Sequence, residues 1–349
     1  MAEGGSALIE QLNEQRRKVD YDTFDITVKQ LMEMVAERNI DVAPVYQRHF
    51  RWKADRQSQY IESVLLGIPV PSLFMAANAD GTWELVDGLQ RLNTLAHFAG
   101  SDEVRRQMGF SDSLRLEGLD KLSEFNGLTF EDLPQATRMQ FVLKGIKVIT
   151  ITDKSDAGVR FDVFERLNKG GIALTAQEIR ACVYRGEFND FLDTLSENKL
   201  FSQVVLIPPD RQKDGTPQEM VLRFFAFLNG YKQFEHSVVS FLNDYMKAAG
   251  KDFDYAHGRQ IFTKTFKQLA KAFPHGIRRG RNATPINLFE AVAVGAALAV
   301  QQNGQIRVPR SDAWLTDAAF VRATTEGTNN RRQVKLRIEH SLIHFGGTP

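Results

Sequence analysis

The hydrophobic patterning predicts an α+β protein, with a small mixed β core among helices followed by an all-α helical bundle. Three observations carry this prediction. Short β-branched or aromatic apolar runs fall before residue 155, at SLFMAA, TWELVD and IKVITI. Beyond that point apolar residues recur at helical spacing in one segment after another, and strand signals mostly cease. No internal repeat or low-complexity run points to a solenoid or fibre. The expected division is an N-terminal extension over 1–20, an α+β domain over 21–155 and a helical domain over 156–349.

Each element follows from its spacing. After a polar first segment, Val28, Leu31, Met32 and Val35 predict a short helix beginning after Thr27. Tyr60, Ile61, Val64 and Leu65 line a second helix that Gly67 stops. SLFMAA and TWELVD form a hairpin across the turn residues Asn78 to Gly81 and deliver the chain to Asp87. A helix then runs from Gly88 to Phe98, with Gly100 as its stop. Ser101 to Gln140 reads as a polar, partly helical excursion before the strand Ile146 to Ile151. The helical half opens with VRFDVFERLN. Thr175 and Glu178 form a capping box for AQEIRACVY, and QEMVLRFFAFLNGY follows. Further helices are expected over 258–273, 285–301, 312–325 and 330–344, the second of these with Thr284 as N-cap and Pro285 at its first position.

Composition bounds the function. Apolar residues at 43% and charged residues at 25% describe an ordinary globular chain, and a net charge of +1 restricts any nucleic-acid surface to a local patch. The lone Cys182 rules out an internal disulfide and a Cys-based zinc site, which suits a reducing cytoplasm. The N-terminus lacks the apolar core of a signal peptide. The longest apolar stretch, Pro285 to Val300, contains Asn287 and Glu290 and falls short of a membrane span. No GxSxG, GxxxxGK[ST], HExxH or CxxC is present, so serine hydrolases, P-loop NTPases and zinc proteins gain no support. His340 and His344 read as surface or interface residues, and the basic run Ile277 to Asn282 as a solvated loop that could touch a nucleic-acid backbone.

Three clusters could carry chemistry. A strand, then Asp87-Gly88, then a helix presents free backbone N–H groups and the positive dipole end to an anion. Arg91 can add a forked pair of donors, and Gln90 can donate or accept. The same residues equally suit a plain helix start, since Asp is a favoured N-cap and Arg a common surface residue. Tyr46, Gln47, Arg48, Arg51 and Trp52 suit base stacking or phosphate contact, and equally a helix-capping loop. In RLNKGGIALTAQEIRACVY, Gly170 and Gly171 allow a tight turn, while Asn168 and Arg180 exceed what a helix joint needs.

YQRHFRW, IESVLLGIPVPSLFM, VDGLQRLNTL and FERLNKGGIALTAQEIRACVYRGEF occur in the order found in the N-terminal domain of GmrSD-type restriction endonucleases, part of the ParB/sulfiredoxin-like superfamily. The chain resembles this family from about Tyr21 onward. The resemblance implies a ParB-like mixed core with a helical bundle, a place in bacterial defence against phage or other foreign DNA, and a site that binds and in some members hydrolyses nucleoside triphosphates. It assigns Asp87, Gly88, Gln90, Arg91 and Thr94 to that site, with Asp87 as a possible Mg²⁺ ligand. Tyr46, Gln47, Arg48, Arg51 and Trp52 would flank it, and Asn168, Gly170, Gly171 and Arg180 would approach from the helical side. Two departures stand out: Leu89 replaces a glutamine of many relatives, and no HNH-type nuclease constellation follows Asn330. The expectation is a nucleotide-dependent component that regulates a partner nuclease or other effector, with DNA and a second copy of the chain as further partners. A non-catalytic DNA-binding subunit and a nickase acting alone are the rival readings.

Overall fold

The computed structural model describes residues 8–13, 20–42, 52–78, 80–152, 155–168, 174–280 and 282–349, and they divide into two compact units, Met1–Ala173 and Leu174–Pro349. Tyr46, Gln47, Arg48, Arg51, Gly170 and Gly171 lie outside the described residues, as does the side chain of Asn168.

The first unit is built on a five-stranded mixed sheet of order β1-β5-β3-β4-β2, comprising β1 (Tyr21–Thr27), β2 (Ile40–Asp41), β3 (Leu73–Ala77), β4 (Trp83–Asp87) and β5 (Gly145–Ile151). β3 runs antiparallel to β4 and parallel to β5, while β1 pairs antiparallel with β5 and β2 parallel with β4. The hairpin predicted from Ser72 to Asp87 is therefore present, in a larger sheet than the spacing showed. Helices α1 (Val28–Ala36), α2 (Ala54–Leu66), α3 (Leu89–Ala99), α4 (Asp102–Gln107) and α5 (Gln135–Val142) accompany it. Their apolar faces meet Leu73, Met75, Leu85, Ile146 and Val148 in one core. α1 opens with a capping box in which Thr27 and Gln30 satisfy each other's backbone N–H, and α2 stops at Gly67 in the left-handed conformation.

Helix α6 (Ala157–Asn168), expected in the helical half, packs on β4 and belongs to the first unit. The excursion over 101–140 also contributes to the core, since it buries Leu114, Leu116, Leu119 and Leu133.

The second unit is all helical: α7 (Ala176–Val183), α8 (Glu187–Ser196), α9 (Lys199–Val204), α10 (Thr216–Gly230), α11 (Val238–Ala249), α12 (Tyr255–Ala272), α13 (Ile286–Asn303), α14 (Ala318–Thr325) and α15 (Arg331–His344). Its core is rich in phenylalanine, with Phe201, Phe224, Phe262 and Phe266 in edge-on and tilted contacts. α13 is apolar on every side and runs through the middle of this unit, burying twelve of its residues. At Gly295 the backbones of α13 and α15 approach closely, because an added Cβ would lie 2.6 Å from Ser341 Cβ and 2.8 Å from Leu342 N.

Buried charges tie the helices together. Arg180 on α7 meets Glu219 on α10 at 3.1 Å, Arg223 meets both Glu219 and Glu290, and Arg337 on α15 meets Glu290 with both carboxylate oxygens at 3.2 Å. Burial pushes the Glu219 carboxyl up, but Arg223 and Arg180 outweigh it and hold the group below its ordinary range.

Three local expectations need correcting. Thr284 does not cap α13: its hydroxyl accepts from Leu206 N and donates to Ile277 O, and Pro285 takes the N-cap position. The single helix expected over 312–325 is broken at Asp317, whose carboxylate caps α14 through Ala319 N and Phe320 N. His340 and His344 are half-buried, stacked on Phe320 and Trp314 at 4.6 and 4.8 Å.

Candidate functional site

Between β4 and α3 the chain makes a turn that only glycine accommodates. Gly88 has φ +105°, and a Cβ there would meet Leu73 Cδ2 at 2.5 Å and the Arg91 guanidinium at 3.2 Å. Without that Cβ, Arg91 folds back against the backbone at the first turn of α3. A register shift between Phe74 and Met75 of β3, opposite the end of β4, sets the position of Asp87.

Asp87 does not cap the helix. Gly88 is the N-cap, no side chain caps α3, and the Asp87 carboxylate instead accepts from Arg91 Nη2 at 2.6 Å. The first turn of a helix carries backbone N–H groups that the helix itself does not use, and here no side chain of the N-cap takes them. The Arg91 side chain is 11% exposed and that of Asp87 29%, so the pair is held at the edge of the core. The Arg91 charge and the positive dipole end of α3 meet at this point, with the Asp87 carboxylate as the anion that they hold.

Gln90 and Trp52 are brought together as well. Gln90 Oε1 accepts from Trp52 N at 3.0 Å, and Gln57 Nε2 donates to Trp52 O at 3.0 Å. Gln57 Oε1 in turn accepts from His97 Nδ1 at 2.8 Å, so two glutamines and a histidine fix the entry of α2 against α3. Burial, and then the positive charge of Arg105, pull the His97 imidazole below its ordinary range, which favours the neutral ring used here. The Trp52 indole carries the Arg56 guanidinium 5.1 Å from its centroid and meets Tyr60 edge-on.

Thr94 is placed differently from its neighbours in the motif. It is fully buried, and its hydroxyl donates to Gln90 O within the helix at 2.7 Å. Arg180, in the second unit, is 1% exposed and donates to Gln177, Glu219 and Asn243 there.

Two residues that spacing does not single out lie on the same helices, Tyr60 on α2 within the field of Arg91 and Asn93 on α3. Tyr60 is 7% exposed, yet its hydroxyl has no hydrogen-bond partner among the described residues. Burial pushes its phenol up to about 12, with the Arg91 charge acting in the opposite direction. Asn93, one turn into α3, is fully buried with neither amide atom partnered. Buried polar groups are almost always paired, so these two side chains are exceptions in the first unit.

Family comparison decides what this segment is. Residues 28–185 match the model of the GmrSD restriction endonuclease, N-terminal domain. This segment is similar to that domain. The GmrSD N-terminal domain match takes in the sheet from β2 to β5, the Asp87 to Arg91 turn and α7, and the mixed sheet is compatible with a ParB-like core. No curated protein and no solved structure matches the chain.

A separate cavity of about 400 Å³ lies in the second unit, lined by Phe225, Tyr245, Asp252, Phe253, His257 and others. Its lining contains no arginine or lysine, so it does not compete with the Asp87 to Arg91 turn as a phosphate site. Among the described residues no cluster of His, Cys, Asp or Glu could by itself hold a metal ion, and no helix is long and apolar enough to cross a membrane.

Proposed function

We propose that the GmrSD-like domain binds a nucleoside triphosphate at the start of α3, hydrolyses it with Mg²⁺, and thereby regulates a nuclease or other effector in an anti-phage restriction system. The observation that carries the proposal is the Arg91 guanidinium folded over Gly88 beside an uncapped helix terminus. Phosphate oxygens would take the first-turn N–H groups and the free edge of Arg91, with the Asp87 carboxylate releasing part of its hold on that arginine. Asp87 is the one carboxylate of the motif. One carboxylate suffices for Mg²⁺, which is held largely by substrate phosphates and water and would neutralise charge developing on them. Gln90, already spent on Trp52 N, couples the site to the entry of α2, a route by which an occupied site could reach the rest of the domain.

The restriction-system setting, the NTP chemistry and the regulation of a partner rest on the family resemblance, whereas the choice of the α3 start as the phosphate site rests on this geometry. Release of phosphate from each of the four NTPs, with and without DNA, tests the reading: turnover lost in Asp87→Ala supports it, and an absence of both binding and turnover contradicts it.

Tyr60 gives a sharper expectation. Tyr60→Phe removes a buried hydroxyl without a partner, so the free protein should melt at the same temperature or be up to about 1 kcal/mol more stable. Nucleotide binding should nevertheless weaken about tenfold, the usual worth of one hydrogen bond to a charged group. Paired thermal melts and nucleotide titrations check this. Lower stability with unaltered binding would assign the hydroxyl to the fold instead.

A further inference from the structure

Charge is distributed unevenly along this chain. From residue 271 to 349 there are eleven Lys or Arg against five Asp or Glu, although the whole chain is +1, so the C-terminal quarter is strongly basic and the remainder net acidic. The structure collects much of this charge at one end of the α14–α15 pair. Arg279 lies with its Cζ 4.9 Å over Phe320 of α14 and donates through Nη1 to Thr324 Oγ1 at 2.6 Å, which fixes the basic loop containing Arg278 against that helix. Arg322 is two residues from Thr324 on the same short helix, and five residues after α14 the chain enters α15 with Arg331 and Arg332, followed by Lys335.

These side chains are not there to hold the fold. Arg278, Arg322, Arg331 and Arg332 are exposed and make no ion pair or side-chain hydrogen bond among the described residues. Lys335 makes only a long contact to Glu339 at 3.9 Å, and Arg279 leaves its Nε and Nη2 donors without partners. Arg331 and Arg332 moreover occupy the first turn of a fourteen-residue helix that has no acidic residue there, where the dipole favours the opposite charge. Exposed Glu326 in the connecting turn is the one carboxylate between the two helices. Like charges gathered at a positive helix end oppose stability in the free protein, and an anion relieves them.

We propose that this end of the α14–α15 pair, with Arg278 and Arg279 beside it, is a surface that binds a nucleic-acid backbone independently of sequence. Five of its six cations are arginines, whose planar forks match phosphodiester oxygens, and of the amides beside them Asn330 is already spent on Gly327 O and Gln333 N as the cap of α15. The surface lies outside the family-matched segment and does not depend on the nucleotide reading.

Anisotropy of a short labelled duplex DNA, titrated with the full-length protein over a range of salt, tests the proposal. Wild-type binding should weaken steeply with salt. Arg331→Ala/Arg332→Ala should bind about tenfold or more weakly at 100 mM salt, with a log–log salt slope shallower by about two. The same protein should melt no lower than wild type and keep its nucleotide binding, and the charge-matched Lys199→Ala/Lys251→Ala should bind duplex normally. If the alanine pair melts lower, Arg331→Gln/Arg332→Gln serves as the readout. Equal duplex binding by wild type and the folded double variant, salt-independent binding, or binding of anionic vesicles but not duplex would each overturn the proposal.

Discussion

Glu290→Ala should destabilise the second unit by about 3–5 kcal/mol, because it leaves the buried Arg337 without its carboxylate and Arg223 with Glu219 alone. Glu290 is fully buried in the most apolar helix of the protein and accepts from Arg223 Nη1 at 3.2 Å and from Arg337 Nη2 with both oxygens. Arg337 is itself fully buried and can turn only to the carbonyls of Ala323 and Thr328, which it already uses. The loss is therefore one of unpaired charge, not of volume. That distinction is measurable: Glu290→Ala with Arg337→Met should cost less than Glu290→Ala alone, since removing both charges leaves fewer buried groups uncompensated. Denaturant unfolding of the single and double variants checks both statements. A double variant that is less stable than the single would point to packing as the dominant contribution.

Gly88→Ala should cost about 2–4 kcal/mol and abolish nucleotide binding as well. Two effects combine. A φ of +105° is strained for a residue with a Cβ, and that Cβ would lie 2.5 Å from Leu73 Cδ2, on a strand with no room to move. Relief by shifting Leu73 would disturb β3 and β5, since Leu73 pairs with Val148. Relief by displacing Arg91 would remove the guanidinium from the helix start. Calorimetry of the variant against wild type, followed by nucleotide titration of whatever remains folded, distinguishes the two routes. Full stability with intact binding would show that the turn tolerates a side chain and that the glycine is not required.

The legible parts of this protein are those whose signal is local. The capping box at Thr175, the Gly67 stop and the strand-turn-helix at Asp87 each involve residues close in sequence, and all are found as the spacing predicts; the Thr27–Gln30 capping box is a local signal of the same kind that the reading of the spacing passes over. β1 escaped notice because it is an edge strand with both faces largely exposed, so YDTFDIT shows no burial alternation to read. Glu290 read only as an interruption of an apolar run, because its partners come from residues 223 and 337, far along the chain. At the candidate site Asp87 and Arg91 are visible as a motif, but that Asp87 pairs with Arg91 instead of capping α3 needs coordinates. Tyr60 looked like any apolar-face residue of a helix; only its orphaned hydroxyl sets it apart. Arg180 stands out beside the turn at Gly170, and its reach to Glu219 of α10 and Asn243 of α11 is a long-range arrangement that spacing does not carry.

The central claim is that the start of α3 is a phosphate site built on Arg91. Isothermal titration of wild type and Arg91→Lys with an NTP and Mg²⁺ tests it most directly. Lysine keeps the charge but lacks the guanidinium fork that reaches back over Gly88. Wild type should bind saturably, and Arg91→Lys should lose about 1.5–3 kcal/mol of binding, the worth of a hydrogen bond to a charged group. Equal affinity in the two proteins, both folded, would contradict it.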